Sequence, residues 1–313
     1  MYRIGIDVGG TGIKIGVVNE NSEIIQTKSI PTRIDIPFSE QISEISDCII
    51  SLLSEISLTV DDINTIGVGI PGIADSATGE IIKCTNMGWN HVPFRDALYK
   101  HIQKPIYIDN DANVAALAES VAGVSAGTSS SVFITIGTGI GSGIILNGHI
   151  WKGFHGIGGE LGHVIMRIDG VPCTCGNNGC LERYCSATAL IRMAREDIDL
   201  HPESIISTMT NHHPENINAQ IVINAAKAGD PYACSIYEQY TEYISQAVAG
   251  VVNLLDPEVI VLGGGVSKAG DFLLEPIRQR FPAHVLFNDQ PLPSVELAVL
   301  GADAGIIGAA MLS

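Results

Sequence analysis

A chain of 313 residues with 17 Lys and Arg against 34 Asp and Glu, formal charge −17, has length for about two domains and is too acidic for a nucleic-acid surface or a polybasic membrane anchor. No apolar run reaches the roughly 18 to 20 residues of a membrane span, because the stretch around Val251 is interrupted by Asn253 and Asp256. The opening MYRIGIDVGG meets Asp7 before any apolar leader core develops, so we expect an acidic soluble enzyme in a reducing cytoplasm.

Residues 2–18, YRIGIDVGGTGIKIGVV, alternate apolar positions around a Gly-Gly-Thr-Gly centre, which predicts two strands joined by a tight turn. Asp7 ends the first strand and Lys14 lies in the second. Gly9 and Gly10 let backbone N–H groups approach phosphate oxygens, Thr11 adds a hydroxyl and Lys14 a cation. An ordinary glycine hairpin, with Asp7 a plain strand-end residue, has the same pattern. Residues 40–56 place Ile42, Ile45, Ile49, Leu52, Leu53 and Ile56 on one helical face, an amphipathic helix for the first sheet. A buried strand over 65–69 breaks at Pro71-Gly72, where a backbone N–H is positioned to meet a ligand. Asn86 lies in an irregular stretch ending near Pro93; its amide suits a hydroxyl, although an Asn among turn residues is by default an Asx-turn former, the reading this stretch alone favours.

A short strand over 106–109 leads through Asn110-Asp111 into the helix-forming run ANVAALAESVAG. Asp111 therefore sits at a strand-to-helix switch, where α/β sheets expose reactive groups, although a plain N-cap aspartate fits as well. Asp109, Asn110, Asp111 and Asn113 together exceed what one cap requires. Residues 131–146, SVFITIGTGIGSGIIL, repeat the strand, glycine turn and strand, with Gly137, Thr138 and Gly139 at the turn. The second copy strengthens the phosphate reading of the first and suggests a duplicated domain with paired turns.

Next comes the stretch GGELGHVIMRIDGVPCTCGNNGCLE. Cys173, Cys175 and Cys180 make a C-x-C-x4-C cluster with His163 ten residues upstream, and Gly170, Pro172, Gly176 and Gly179 supply tight turns. A disulfide with one spare thiol would suit a secreted chain; in a reducing compartment the spacing favours a structural Cys3His zinc site. That leaves Glu160 and Glu182 as carboxylates without a structural duty, suited to a polar substrate. Cys48, Cys84, Cys185 and Cys234 read as core packing. A helix over 186–195 follows, then a polar segment, 196–218, whose His201, His212 and His213 lack ligand spacing and read as solvated. A long helix over 232–255, a buried strand over 259–262 and the turn Gly263-Gly264-Gly265 complete a nucleotide-like rim, a weak signal alone. Small residues over 302–312 predict a helix able to pack closely on a sheet.

DVGGT at 7–11, NDAN at 110–113, GTGIG at 137–141, GELGH at 159–163 and CTCGNNGCLE at 173–182 resemble the ROK family of bacterial sugar kinases, repressors and open reading frames over nearly the whole chain. The resemblance implies an α/β fold of two ribonuclease-H-like (actin-like ATPase) domains around a central cleft, 1–113 plus 301–313 and 114–300. It implies Asp111 as general base toward a sugar hydroxyl. The other hydroxyls would fall to Gly72, Asn86, Asn110, Glu160, His163 and Glu182, with His163 also on zinc. Asp7 would engage the Mg²⁺ of MgATP, with Gly9, Gly10, Thr11, Lys14, Gly137, Thr138 and Gly139 at the phosphates and Gly264-Gly265 beside adenosine. Glucose is the first expectation among hexoses, ahead of mannose, fructose, allose and N-acetylmannosamine. A DNA-binding repressor is disfavoured by the charge and by a hairpin starting at residue 2, and a non-catalytic sugar sensor by the presence of Asp111. Family members are commonly dimers or tetramers, so a homo-oligomer is expected.

Overall fold

The computed structural model describes all 313 residues. Its contacts divide the chain into two compact units, one of Met1–Ser129, Gly143–Gly158 and Val299–Ser313, the other of Ser130–Ser142 and Gly159–Ala298.

In the first unit the hairpin is β1 (Tyr2–Val8) and β2 (Gly12–Val18), antiparallel, with Asp7 opposite Lys14; β3 (Ile24–Pro31) extends it. Helix α1 (Phe38–Glu55) buries Ile42, Ile45, Ile49, Leu52 and Leu53 and packs on β2 and β3, as its apolar face requires. Strand β4 (Ile63–Ile70) pairs parallel with β1. Strands β5 (Ile73–Asp75), β6 (Glu80–Cys84) and β7 (Trp89–Val92) then form a small antiparallel sheet where the sequence suggested irregular chain. Its anchor is Trp89, buried against Phe38 and the Phe94 ring, with its indole N–H donated to Gln41. Helix α2 (Phe94–Tyr99) leads to β8 (Ile106–Asn110), the edge strand of the order β3-β2-β1-β4-β8, and then α3 (Asp111–Ala122) begins without a linker.

The second sheet contains β9 (Ser130–Ile136), β10 (Ile140–Leu146) and the short β11 (His149–Ile150). Beyond the cysteine loop lie α4 (Glu182–Cys185), α5 (Ala187–Glu196), α6 (Ile205–Met209), α7 (Ala219–Lys227) and α8 (Pro231–Leu255). The segment 196–218 is thus not merely a loop: α6 and two short 3-10 turns occupy it, because Ile198, Ile206 and Ile217 are buried. Helix α8 starts with Asp230 accepting the Ala233 N–H and Pro231 in the first turn, and stops where Asp256 turns left-handed at φ 44°. Strand β12 (Val259–Gly263), helix α9 (Asp271–Arg280) and strand β13 (Ser294–Leu297) finish the order β11-β10-β9-β12-β13. No helix is long and apolar enough to cross a membrane.

The two sheets share one plan. In each, the first strand of the hairpin is followed across the sheet by two further parallel strands, as a duplication requires. The C-terminal small-residue segment begins as a 3-10 turn at Gly301–Asp303 and continues as α10 (Ala304–Ala310), which packs on β1 and β4. A Cβ at Gly5 would lie 1.9 Å from the Ile306 carbonyl oxygen, and one at Gly67 1.6 Å from that of Ala309, so glycine is required under this helix. The expected inner boundary at residue 113 falls inside α3. That helix stays in the first unit because it packs on α10 and because Gly143 approaches it so closely that a Cβ there would come 2.6 Å from the Ala112 carbonyl oxygen.

Candidate active site

In the first unit the glycine turn is closed by the Gly9 N–H donating to the Gly12 carbonyl at 3.0 Å, and the Thr32 hydroxyl donates to the Gly9 carbonyl at 2.7 Å. Gly10 faces Asn86: a Cβ at Gly10 would sit 3.4 Å from the Asn86 Nδ2, so the turn and a candidate sugar ligand are neighbours. Asn86 itself lies in a one-turn 3-10 helix, Thr85–Met87. Burial raises the Asp7 carboxyl above the ordinary carboxylate value, with Lys14 opposing the shift. Lys14 is exposed on β2, and Thr11 is exposed at the turn.

At the end of β8 the cap duty falls to Asn110, not Asp111: the Asn110 side-chain oxygen accepts the Ala112 N–H at 2.9 Å, and its Nδ2 donates to the Gly72 carbonyl at 3.2 Å. Asp111 is the first helical residue and its Oδ1 also accepts the Ala112 N–H at 2.9 Å. The Cys84 thiol is raised, by burial first and in part by the negative charge of Asp111, so that carboxylate lies near the turn bearing Asn86. Gly72 departs from the expectation for its N–H, which donates to the Ile70 carbonyl at 2.9 Å and is spent within the bend; its carbonyl instead orients Asn110.

In the second unit the Gly137 N–H donates to the Gly139 carbonyl at 3.0 Å, and α5 holds the turn through Ala187 N–H to the Gly137 carbonyl at 2.8 Å and Thr188 hydroxyl to the Thr138 carbonyl at 2.7 Å. Glu182 reaches this turn: its Oε2 accepts the Ile140 N–H at 3.0 Å, and a Cβ at Gly139 would come 2.3 Å from it. Gly264, at φ 86°, packs against the end of β9, where a Cβ would meet the Ile136 carbonyl oxygen at 2.6 Å, so the Gly264-Gly265 rim adjoins the Gly137 turn. Glu160 is exposed and precedes the 3-10 turn Leu161–His163. Ser142, buried, ties this segment down by donating to the Gly159 carbonyl and accepting the Leu161 N–H at 3.3 Å.

The ligand atoms of His163, Cys173, Cys175 and Cys180 all lie within 4.8 Å of one another, with Cys175 and Cys180 sulfurs 3.5 Å apart and the His163 Nδ1 3.8 Å from the Cys173 sulfur. Donors on a tetrahedron of ~2.0 to 2.3 Å radius stand about 3.3 to 3.8 Å apart, which these two pairs match, and the set is the one zinc prefers. Gly176 and Gly179 take φ 98° and 79°, the left-handed turns the convergence needs. Burial pushes the Cys180 thiol up to about 12, a cost a divalent cation removes by holding the thiolate. The remaining cysteines are free, with Cys48, Cys84 and Cys185 in the core and Cys234 partly buried. His212 and His213 are exposed, while His201 stacks on Tyr232 at 4.1 Å.

Two contacts were not foreseen. Lys152 ion-pairs with buried Asp109 at 2.6 Å, and Asp109 in turn accepts from the Asn110 N–H and the Asn113 amide. Glu119, fully buried, accepts the N–H groups of Val299 and Leu300 at 3.0 Å and so ties α3 to the returning C-terminal segment. Neither lone residue carries a spacing signal; only the polar excess at 109–113 hinted at the first.

These arrangements are those of a two-domain actin-like ATPase fold with a Cys3His loop, and the ROK family profile matches residues 3–313: the chain belongs to the ROK family. It is 40% identical over 312 residues to the glucokinase of Halalkalibacterium halodurans, covering 99% of this chain and 94% of that one. The crystal structure of a ROK family glucokinase from Streptomyces griseus in complex with glucose and AMPPNP is similar at TM-score 0.81 and 32% identity, covering 99% and 98% of the two chains. The xylose repressor of Caldicellulosiruptor bescii is 30% identical over 276 residues, 88% of this chain and 69% of that one.

Proposed function

We propose that the chain is an ATP-dependent hexose kinase, a glucokinase that converts glucose and ATP to glucose 6-phosphate and ADP. The observation that carries this is the Asn110-Asp111 switch. With Asn110 as the cap, Asp111 is not needed to start the helix, and its carboxylate stands at a strand end near Asn86. In our reading Asp111 takes the proton of the sugar 6-hydroxyl as that oxygen attacks the γ-phosphorus and ADP departs. Asn86, Asn110, Glu160, His163 and Glu182 hold the other hydroxyls. Backbone N–H groups of the two glycine turns, with Thr11 and Thr138, hold the phosphates, and Gly264-Gly265 flank adenosine. Asp7 would hold Mg²⁺, whose chemistry is to neutralise charge on the β- and γ-phosphates. Zinc on His163, Cys173, Cys175 and Cys180 would fix the loop and the His163 ring, leaving its other nitrogen for sugar. Support comes from the relatives named above, and the glucose in the Streptomyces griseus complex favours glucose over other hexoses. We place the protein in the cytoplasm as a homo-oligomer, dimer or tetramer, on the family resemblance.

A sugar-sensing regulator is the second reading, favoured by the similarity to the xylose repressor. Asp111→Asn separates the two. The amide keeps the shape but cannot accept a proton, so turnover should fall about 10²- to 10⁴-fold while calorimetry still shows glucose binding. Turnover near the wild-type rate would remove Asp111 from the mechanism.

A further inference from the structure

Asp109 stands two residues before Asp111, near the end of β8, and its side chain is only 6% exposed. Its Oδ1 accepts the Asn110 N–H at 2.8 Å and the Asn113 Nδ2 at 2.9 Å. Asn113 is itself buried with its amide oxygen unpartnered, so its amide is held through Asp109. The Asp109 Oδ2 is buried, makes no hydrogen bond besides, and meets the Lys152 ammonium at 2.6 Å. A carboxylate so placed needs that cation, because a buried charge without a partner is costly. The lysine is fixed at its root: it follows β11, which packs on α3, the Trp151 N–H donates to the Ile144 carbonyl at 2.8 Å, and the Gly158 N–H donates to the Lys152 carbonyl at 2.8 Å. A Cβ at Gly158 would come 2.9 Å from that carbonyl oxygen, so the chain closes tightly on Lys152.

We infer that Lys152 is a positioning residue for phosphoryl transfer, acting through Asp109 on the aim of Asp111; the inference rests on the reading of Asp111 as general base. The two donors on the Asp109 Oδ1 come from either side of Asp111, one from the residue before it and one from the first turn of α3. Asp109 therefore spans the backbone that sets where the Asp111 carboxylate points. Without the ammonium, Asp109 would turn its Oδ2 toward water or take a proton there, and either change draws the Oδ1 off one of its two donors. A shift of about 1 Å in a catalytic group is enough to cost up to about 10²-fold in rate.

A double-mutant cycle between Lys152→Met and Asp111→Asn tests this on the whole chain, with glucose and MgATP saturating. Lys152→Met should lower kcat about tenfold and leave KM for ATP within about twofold of wild type. In the Asp111→Asn background the same change should cost less than about twofold, because a side chain that cannot accept the proton has no aim to lose. Equal fold losses in the two backgrounds would make Lys152 a purely structural residue and overturn the inference, as would an unchanged kcat in a folded Lys152→Met. Lys152→Arg, which keeps a cation on Asp109, should recover most of the rate; a loss as deep as that of Lys152→Met would also overturn it. If Lys152→Met does not fold, Lys152→Gln takes its place in the cycle under the same criteria. Asp111→Asn alone turning over near the wild-type rate would instead remove the base on which the inference rests, so the two failures are read separately.

Discussion

Asp7 shows how a single carboxylate is held against its own interest. It is packed on Gly305, where a Cβ would lie 2.5 Å from its carboxyl carbon, and burial raises its pKa while Lys14 only partly offsets this. A carboxyl whose folded pKa exceeds its unfolded value contributes stability below the unfolded pKa that is lost as pH rises through the folded one. At neutral pH Asp7 therefore weakens the fold. Asp7→Asn should raise Tm at pH 7, with the gain fading as the pH is lowered toward the unfolded carboxylate range, and should abolish sugar-dependent ATP turnover. A lower Tm at pH 7 would contradict the burial account, and retained turnover would contradict the Mg²⁺ role. The residue types at this site were legible because DVGGT and NDAN cluster polar groups at strand ends and GELGH gathers them at a 3-10 turn. The Asn110 cap, the spent N–H of Gly72 and the Lys152–Asp109 pair were not, because each depends on which neighbour a side chain or amide meets.

Among elements, the two glycine turns were legible as hairpins, but their neighbours change what a substitution there tests. From sequence, a side chain at Gly10 or Gly139 would block phosphate alone. In the fold Gly10 lies against Asn86 and Gly139 against Glu182. Gly139→Val should therefore raise KM for glucose and for ATP together with Tm little changed; a rise confined to ATP would mean that Glu182 does not hold sugar. The cysteine loop makes the complementary case. Cys173→Ala, Cys175→Ala or Cys180→Ala should release the metal and weaken glucose binding about 10- to 100-fold, while ATP binding at the turns stays nearly intact. Wild-type protein should contain about one zinc per chain by metal analysis. Zinc-free protein with full activity, or cysteine variants that bind glucose normally, would separate the cluster from the substrate pocket. The convergence of His163, Cys173, Cys175 and Cys180 was readable from spacing, since close C-x-C-x4-C cysteines converge on few geometries. The sheet β5-β6-β7 was not, because Trp89, Phe38 and Phe94 make it cohere from positions far apart in sequence.

Over the whole molecule, duplication was legible from two similar hairpins, and the shared strand order of the sheets bears it out. The return of α10 was expected from resemblance alone; periodicity in 302–312 says only that the helix is small-sided, and the glycines that receive it are Gly5 and Gly67, some 300 and 240 residues earlier. Gly67→Ala puts a methyl into the Ala309 carbonyl and should cost about 3 kcal/mol, the upper end for overpacking. Gly250→Ala, in α8 with open space at its Cβ, should instead stabilise by about 0.5 to 1 kcal/mol. Equal effects of the two in urea unfolding would mean that the close approach of α10 is not a constraint.

The kinase assignment is tested most directly by coupled ADP release from the purified chain with MgATP and a panel of hexoses. Glucose should drive ADP formation at a kcat/KM above mannose, fructose, allose and N-acetylmannosamine, and glucose 6-phosphate should accumulate in equal amount. ADP release that no sugar in the panel stimulates, with glucose binding intact, would contradict the kinase and leave a sugar-sensing member of the family.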